Sequence, residues 1–225
     1  MQYLLNDNVV KSENAAKPHS QKAKDVHDYL ISLGKVNKTL DFGCGKLRYA
    51  DSIVEMSESV TFLDSKIQLT RQQMVKNEKT SVANYVSNNY LNCDCVPYED
   101  VDKIQTKFDL IVCTNVISAI PCPETIQNIF RIFSDLISSN GKVIVINQHR
   151  SSYFKKFESG EKHLFGYLYE SRRGTSYYGI ITKTVVKDLV AEHDIEVVND
   201  WVSGDITFSE IMKSLNPGCE EELMT

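Results

Sequence analysis

The stretch LDFGCGKLRYAD (residues 40–51) decides how the rest of the chain is read. Leu40, Asp41 and Phe42 close a short strand, Gly43 and Gly45 follow at once, and a helical pattern is predicted from near Leu47. Glycines at a strand-to-helix turn let the backbone fold back tightly and approach a bound group with no Cβ in the way. The third glycine of a GxGxxG dinucleotide turn would fall at the position of Arg48. The turn is built for a ligand, and its third position bears on which ligand.

Outward from this turn, strand and helix signals alternate. KTLDFG reads as the strand entering the turn and LRYADSIVEMSE as the helix leaving it. SVTFLD is a second strand, followed by a polar helix from Ile67 to about Asn77 and a weaker strand at SVANYV. KFDLIVC is a continuous apolar run, the pattern of a strand buried on both faces. ETIQNIFRIFSDLISS carries apolar residues at helical spacing and is predicted to stop at Asn140 and Gly141, before the buried strand KVIVINQ. Upstream, SQKAKDVHDYLISLG reads as a helix capped by Ser20 and stopped by Gly34, behind a polar, irregular stretch over residues 1–19. From about residue 149 to 178 the alternation gives way to a segment rich in aromatic and charged residues. A helix at TKTVVKDLVAEHD and a strand at IEVVND resume it, and DITFSEIM is ambiguous. This order argues for an α/β fold with a mostly parallel sheet covered by helices on both faces.

A chain of 225 residues can bury a sizeable core, and its net charge of −5 opposes a broad basic face for nucleic acid or an anionic membrane. No apolar run is long enough to span a bilayer, and the first residues lack the basic-then-apolar pattern of a secretory signal. The six cysteines form no CxxC pair, so no metal site is expected. They read as reduced thiols in a cytoplasmic protein.

A second acidic residue narrows the chemistry. Asp64 ends the second strand 23 residues after Asp41, where a carboxylate is placed to accept hydrogen bonds from ribose hydroxyls. A P-loop is disfavoured, because Leu47 stands where the Ser or Thr after its lysine belongs. Arg48 disfavours a pyrophosphate by preventing close packing of helix and turn. An adenosyl ligand without phosphates relaxes that demand, and an acidic residue near the turn suits a cationic ammonium or sulfonium.

TLDFGCGKLRYAD followed by VTFLDS resembles the first two motifs of the class I S-adenosylmethionine-dependent methyltransferases. NCDC, KFDLIVCTNVISAIP, NGKVIVINQHR and YYGIITKTVVKDLVAEHDIEVV resemble later motifs of that family, in the right order over roughly residues 35–200. The resemblance implies a Rossmann-like, seven-stranded, mostly parallel sheet, with the aromatic-rich insertion after strand five. It implies S-adenosyl-L-methionine as cofactor, with Gly43 and Gly45 passing under its methionine part and Asp41 orienting the turn. Asp64, with Ser65 beside it, would hold the ribose diol. Asp94 and the Cys95 backbone would meet the adenine edge, and Asn115 and Val116 the methionine end. Leu47 departs from the pattern, since many members have a further glycine there.

His149 follows the fifth strand at the carboxyl edge of the sheet and is the candidate base for an attacking oxygen or nitrogen, the alternative being a surface histidine beside Arg150. Residues 1–34 are expected to pack on or cover the cofactor site, and residues 35–225 to form the methyltransferase domain, its insertion at about 150–178 covering the substrate. A small-molecule acceptor is favoured over nucleic acid or protein. Asn115 lacks the proline pair of DNA amino-methylating enzymes, and Pro121 and Cys122 lie several residues beyond the place of a cytosine-methylating nucleophile. A non-catalytic subunit of the same fold and a nicotinamide-dependent oxidoreductase are the rival classes.

Overall fold

The computed structural model describes residues 2–5, 8–148, 155–171 and 174–214. Its centre is a seven-stranded sheet of β1 (Val36–Phe42), β2 (Ser57–Asp64), β3 (Cys93–Pro97), β4 (Phe108–Thr114), β5 (Ile137–Gln148), β6 (Ile195–Ser203) and β7 (Ile206–Lys213). The order across the sheet is β6-β7-β5-β4-β1-β2-β3. The strands from β5 to β3 run parallel, whereas β7 inserts antiparallel between β5 and β6. Chain order reverses between β1 and β4, and open α/β sheets bind ligands at such a switch point, beyond the carboxyl ends of the strands.

Among the described residues six α-helices flank the sheet: α1 (Lys24–Ser32), α2 (Ala50–Met56), α3 (Lys66–Thr70), α4 (Val82–Asn89), α5 (Pro123–Leu136) and α6 (Lys183–Val190). Alternation along β4 and β5 shows why both faces are covered. Ile111, Cys113, Val143 and Val145 enter a core shared with α5 and α6. Leu110, Val112, Ile144 and Ile146 enter the opposite core, shared with α1 to α4. None of the eight is more than 3 % exposed, so the continuous apolar runs are strands sealed on both sides.

Several local expectations are corrected, each for a local reason. α1 begins at Lys24, because Ser20 lies in a separate turn (His19–Gln21) and caps nothing. α2 begins at Ala50 instead of near Leu47, whose φ of 59° is incompatible with a right-handed helix. The polar helix predicted to reach Asn77 ends at Thr70, and left-handed Lys76 and Asn77 turn a hairpin between Gln73–Val75 and Glu78–Thr80. SVANYV is helical: Ser81 caps α4 by accepting from the Asn84 N–H at 3.2 Å, and Val82 and Val86 bury one turn apart. α5 stops at Leu136, and Gly141, expected to end it, lies in an irregularity of β5 between the pairings at Ile137 and Lys142. Residues 2–11 contain a hairpin of Gln2–Leu5 with Asn8–Lys11, and the ambiguous tail is β7. The insertion, where the alternation of strand and helix signals gives way, holds a three-stranded antiparallel sheet of Glu161–His163, Gly166–Ser171 and Gly174–Gly179.

Candidate active site

A cleft of about 930 Å³ opens where β1 runs into the glycine turn. The turn is clamped to β2, since the N–H groups of Gly43 and Cys44 both donate to the Leu63 carbonyl, at 2.7 and 3.1 Å. Gly43 and Gly45 are left-handed, with φ of 76° and 58°. A Cβ on Gly43 would stand 2.3 Å from Cγ2 of Val116, so only glycine lets the turn press against this lining residue. Leu47 keeps the left-handed backbone that a glycine would supply and buries its side chain completely beside α1 and α2.

Asp64 reaches back across the turn. Its Oδ2 accepts from the Gly45 N–H at 2.8 Å and its Oδ1 from the Ser65 N–H at 2.7 Å. The Ser65 hydroxyl donates to Oδ1 at a long 3.5 Å, so of the carboxylate's about four acceptor positions one is open to a ligand hydroxyl and a second is only weakly held. Asp41 also lines the cleft, is 6 % exposed, and makes no side-chain hydrogen bond among the described residues. Burial, and then the charge of Asp64, push its carboxyl up to about 7. Burial raises Asp64 too. Two carboxyls held this way favour a cation lodged beside them, which would restore their ionised forms. The Cys44 thiol, raised far above its usual range by burial and both aspartates, is a neutral packing group.

Behind the turn, Ser65 caps α3 by accepting from the Gln68 N–H at 3.4 Å. Buried Gln68 donates to the Gly45 carbonyl at 2.5 Å and accepts from Arg71 at 2.5 Å. Arg71 in turn donates to the Glu13 carbonyl at 3.2 Å, strapping the N-terminal segment over the turn. Glu13, Ala16 and Lys17 line the cleft as a result. Asp51 at the start of α2 holds the same segment further along, through His19 at 3.1 Å and Lys22 at 3.4 Å. Sequence reasoning passes over Glu13, Gln68 and Arg71. The one available signal is the Ser65-x-x-Gln68 spacing of a capping box, and the glutamine side chain turns to Gly45 instead of to the cap.

Asp41, Gly43, Gly45, Asp64, Ser65, Asn115 and Val116 come together around the cleft. Asn115 (φ 57°) also ties strand ends together: its N–H donates to Ile146 and its Oδ1 accepts from the Gln148 N–H, both at 2.7 Å. Asp94 and Cys95 are not brought there. They pair with Thr61 and Phe62 inside β3, which runs on to Pro97, and Asp94 is exposed. Tyr98, just past that strand, lines the cleft instead, its hydroxyl accepting from Asn128 at 3.0 Å. His149, with Tyr153, Phe154, Arg172 and Arg173, lies outside the described residues.

A second cavity of about 720 Å³ shares Ser12, Ala15, Lys17, Arg48, Asn115 and Ala119 with the first. Aromatic side chains of the insertion form its far wall: Phe157, Tyr169, Tyr177 and Tyr178, with Phe157 stacked on Tyr169 at 4.1 Å. His163 latches this sheet to the Pro121 carbonyl at 2.7 Å, and Val10 of the N-terminal hairpin packs with Leu168 and Tyr177. No cluster of metal-ligating side chains occurs among the described residues.

Residues 40–143 match the family described as a methyltransferase domain. The chain is 43 % identical over 201 residues to the uncharacterized protein YmfD of Escherichia coli (strain K12), covering 89 % of this chain and 91 % of YmfD. A solved S-adenosylmethionine-dependent methyltransferase from Clostridium acetobutylicum ATCC 824 shares the fold with a TM-score of 0.62 at 10 % identity, over 90 % of this chain and 94 % of that one. So does the 1,6-didemethyltoxoflavin-N1-methyltransferase of Burkholderia thailandensis, solved with 1,6-didemethyltoxoflavin and S-adenosylhomocysteine bound. Its TM-score is 0.60 at 14 % identity, over 87 % of this chain and 80 % of that one.

Proposed function

Since this chain belongs to the class I S-adenosylmethionine-dependent methyltransferases and takes S-adenosylmethionine as cofactor, we propose that it methylates an oxygen or nitrogen of a small molecule held in the aromatic-walled cavity. The observation that carries this reading is the common border of the two cavities at Asn115 and Ala119. When bound, the cofactor supplies a methyl group activated by its sulfonium.

The chain's own residues hold, orient and exclude water. Gly43 and Gly45 would bring bare backbone under the methionine part, and Asp64, beside Ser65, would accept from the ribose hydroxyls. Asp41 would set a negative charge near the cationic end, Tyr98 would border the base, and Asn115 and Val116 would form the wall along which the acceptor approaches. Alignment of this kind removes on the order of 7–11 kcal/mol from a bimolecular barrier. The N-terminal segment within residues 1–34 covers the cofactor, and the insertion sheet covers the acceptor. For a protonated acceptor, His149, next in sequence after β5, takes the proton, a contribution of roughly 10²–10⁴-fold.

The acceptor class is tested by incubating the protein with methyl-tritiated cofactor and a size-fractionated cell extract. Label entering the low-mass fraction supports the proposal. Label removed by ribonuclease or protease would contradict a small-molecule acceptor, and cofactor binding without any transfer would favour a non-catalytic binding subunit.

A further inference from the structure

We propose that the acceptor is an anionic small molecule, its charged group held by Arg48 and Lys17 at the junction of the two cavities and its apolar body laid against the aromatic wall. This rests on the methyltransferase reading above and adds the acceptor's chemical class. The chain carries a net charge of −5, yet the second cavity is lined by Lys11, Lys17 and Arg48 and, among the described residues, by no aspartate or glutamate. The acidic lining residues, Glu13, Asp41 and Asp64, all belong to the first cleft. The first cleft mixes these carboxylates with Lys17, Lys46 and Arg48, whereas the charged lining of the second cavity is basic throughout among the described residues, a sign that concentrates anions within low-dielectric walls.

Arg48 is the anchor. Its Nε is buried and has no hydrogen-bond partner among the described residues. A buried donor without an acceptor is unfavourable, and an oxyanion would supply the missing partner. The guanidinium lies over the Tyr49 ring, 5.0 Å from its centroid, which restrains its position. A planar fork of donors fits carboxylate or phosphoryl oxygens, which a point charge alone does not. Across the cavity, Phe157, Tyr169, Tyr177 and Tyr178 form a largely apolar aromatic wall, with Phe157 stacked on Tyr169 at 28°.

The test uses the full chain saturated with S-adenosylhomocysteine, with 2-naphthoate, 2-naphthyl phosphate and neutral 2-naphthamide as probes followed by ligand-observed NMR and calorimetry. The two anions should bind, with the better one naming the charged group, and the amide should bind about ten-fold more weakly or less. Arg48→Met and Lys17→Met should each weaken the preferred anion by about ten-fold, read with each variant saturated by S-adenosylhomocysteine because both residues also border the cofactor cleft. Equal binding of anion and amide, or binding of no probe, overturns the proposal. So does loss of S-adenosylhomocysteine affinity in Arg48→Met, which would assign the guanidinium to the cofactor's own carboxylate. Wild-type protein that binds no S-adenosylhomocysteine, measured before any probe is added, overturns the underlying methyltransferase reading and the proposal with it.

Discussion

Leu47 condenses the balance of forces in the turn. A left-handed backbone costs a leucine about 1–2 kcal/mol relative to glycine, while removing a fully buried leucine side chain costs about 2–5 kcal/mol. Leu47→Gly should therefore destabilise the protein by roughly 1–3 kcal/mol despite relieving the backbone, visible as a lower midpoint in urea unfolding. A stabilised variant would mean that the backbone term dominates. Asp41 gives the pH dependence. Its carboxyl sits at about 7, above the ordinary 3.8, so the folded chain holds a proton that the unfolded chain releases. Apo stability should be greatest at low pH by this contribution, fall as pH rises from about 4 to about 7, and level off above that. A cation bound beside Asp41 reverses the preference, so cofactor affinity should rise with pH up to about 7. Asp41→Asn should flatten both profiles, with raised Asp64 leaving a residual slope of the same sign. Urea unfolding between about pH 4 and 8 reads the first effect and calorimetric titration between about pH 5.5 and 8.5 the second, and an unchanged slope in the variant would contradict the assignment.

At the scale of elements, the strap from α3 to the N-terminal segment carries the next prediction. Arg71→Ala removes the donor to the Glu13 carbonyl but leaves Gln68 on Gly45. Amide exchange of residues 12–17 should accelerate while that of β1 and β4 stays unchanged, and equal protection in variant and wild type would refute the strap. Gln68→Ala frees the Gly45 carbonyl and should weaken S-adenosylhomocysteine by about ten-fold, since a lost buried hydrogen bond leaves its partner unsatisfied. Long elements with strong periodicity were legible: α5 buries Ile126, Ile129, Phe130 and Phe133 as its spacing requires, and β4 and β5 follow their apolar runs. Short elements misled where side-chain preference and context disagree. SVANYV has strand-forming valines and a tyrosine, yet the cap at Ser81 and the packing of Val82 and Val86 make it a helix. The hairpin after Thr70 lacks the Asn-Gly pair that announces such turns, and Lys76 and Asn77 take the left-handed positions themselves.

For the molecule as a whole, the switch point between β1 and β4 collects residues from distant segments onto one edge. The parts of the site that lie in the turn or at strand tips, namely Gly43, Gly45, Asp64 and Asn115, were legible because a strand end fixes where its next residue goes. Glu13, Gln68 and Tyr98 were not, because each reaches the cleft through tertiary packing that no local pattern announces. Asp94 stands apart from the cleft lining because the ladder with β2 extends through it to Pro97. The same topology sets the cofactor cleft against the aromatic cavity and makes the account depend on one site. Its central claim is that the glycine turn and Asp64 bind an adenosyl cofactor. Titration calorimetry with S-adenosylhomocysteine and with NAD, on wild type and Asp64→Ala, tests this most directly. The account predicts one S-adenosylhomocysteine per chain, binding weakened by about ten- to a hundred-fold in Asp64→Ala, and no binding of NAD. Binding of NAD alone, or equal S-adenosylhomocysteine affinity in both proteins, would contradict it.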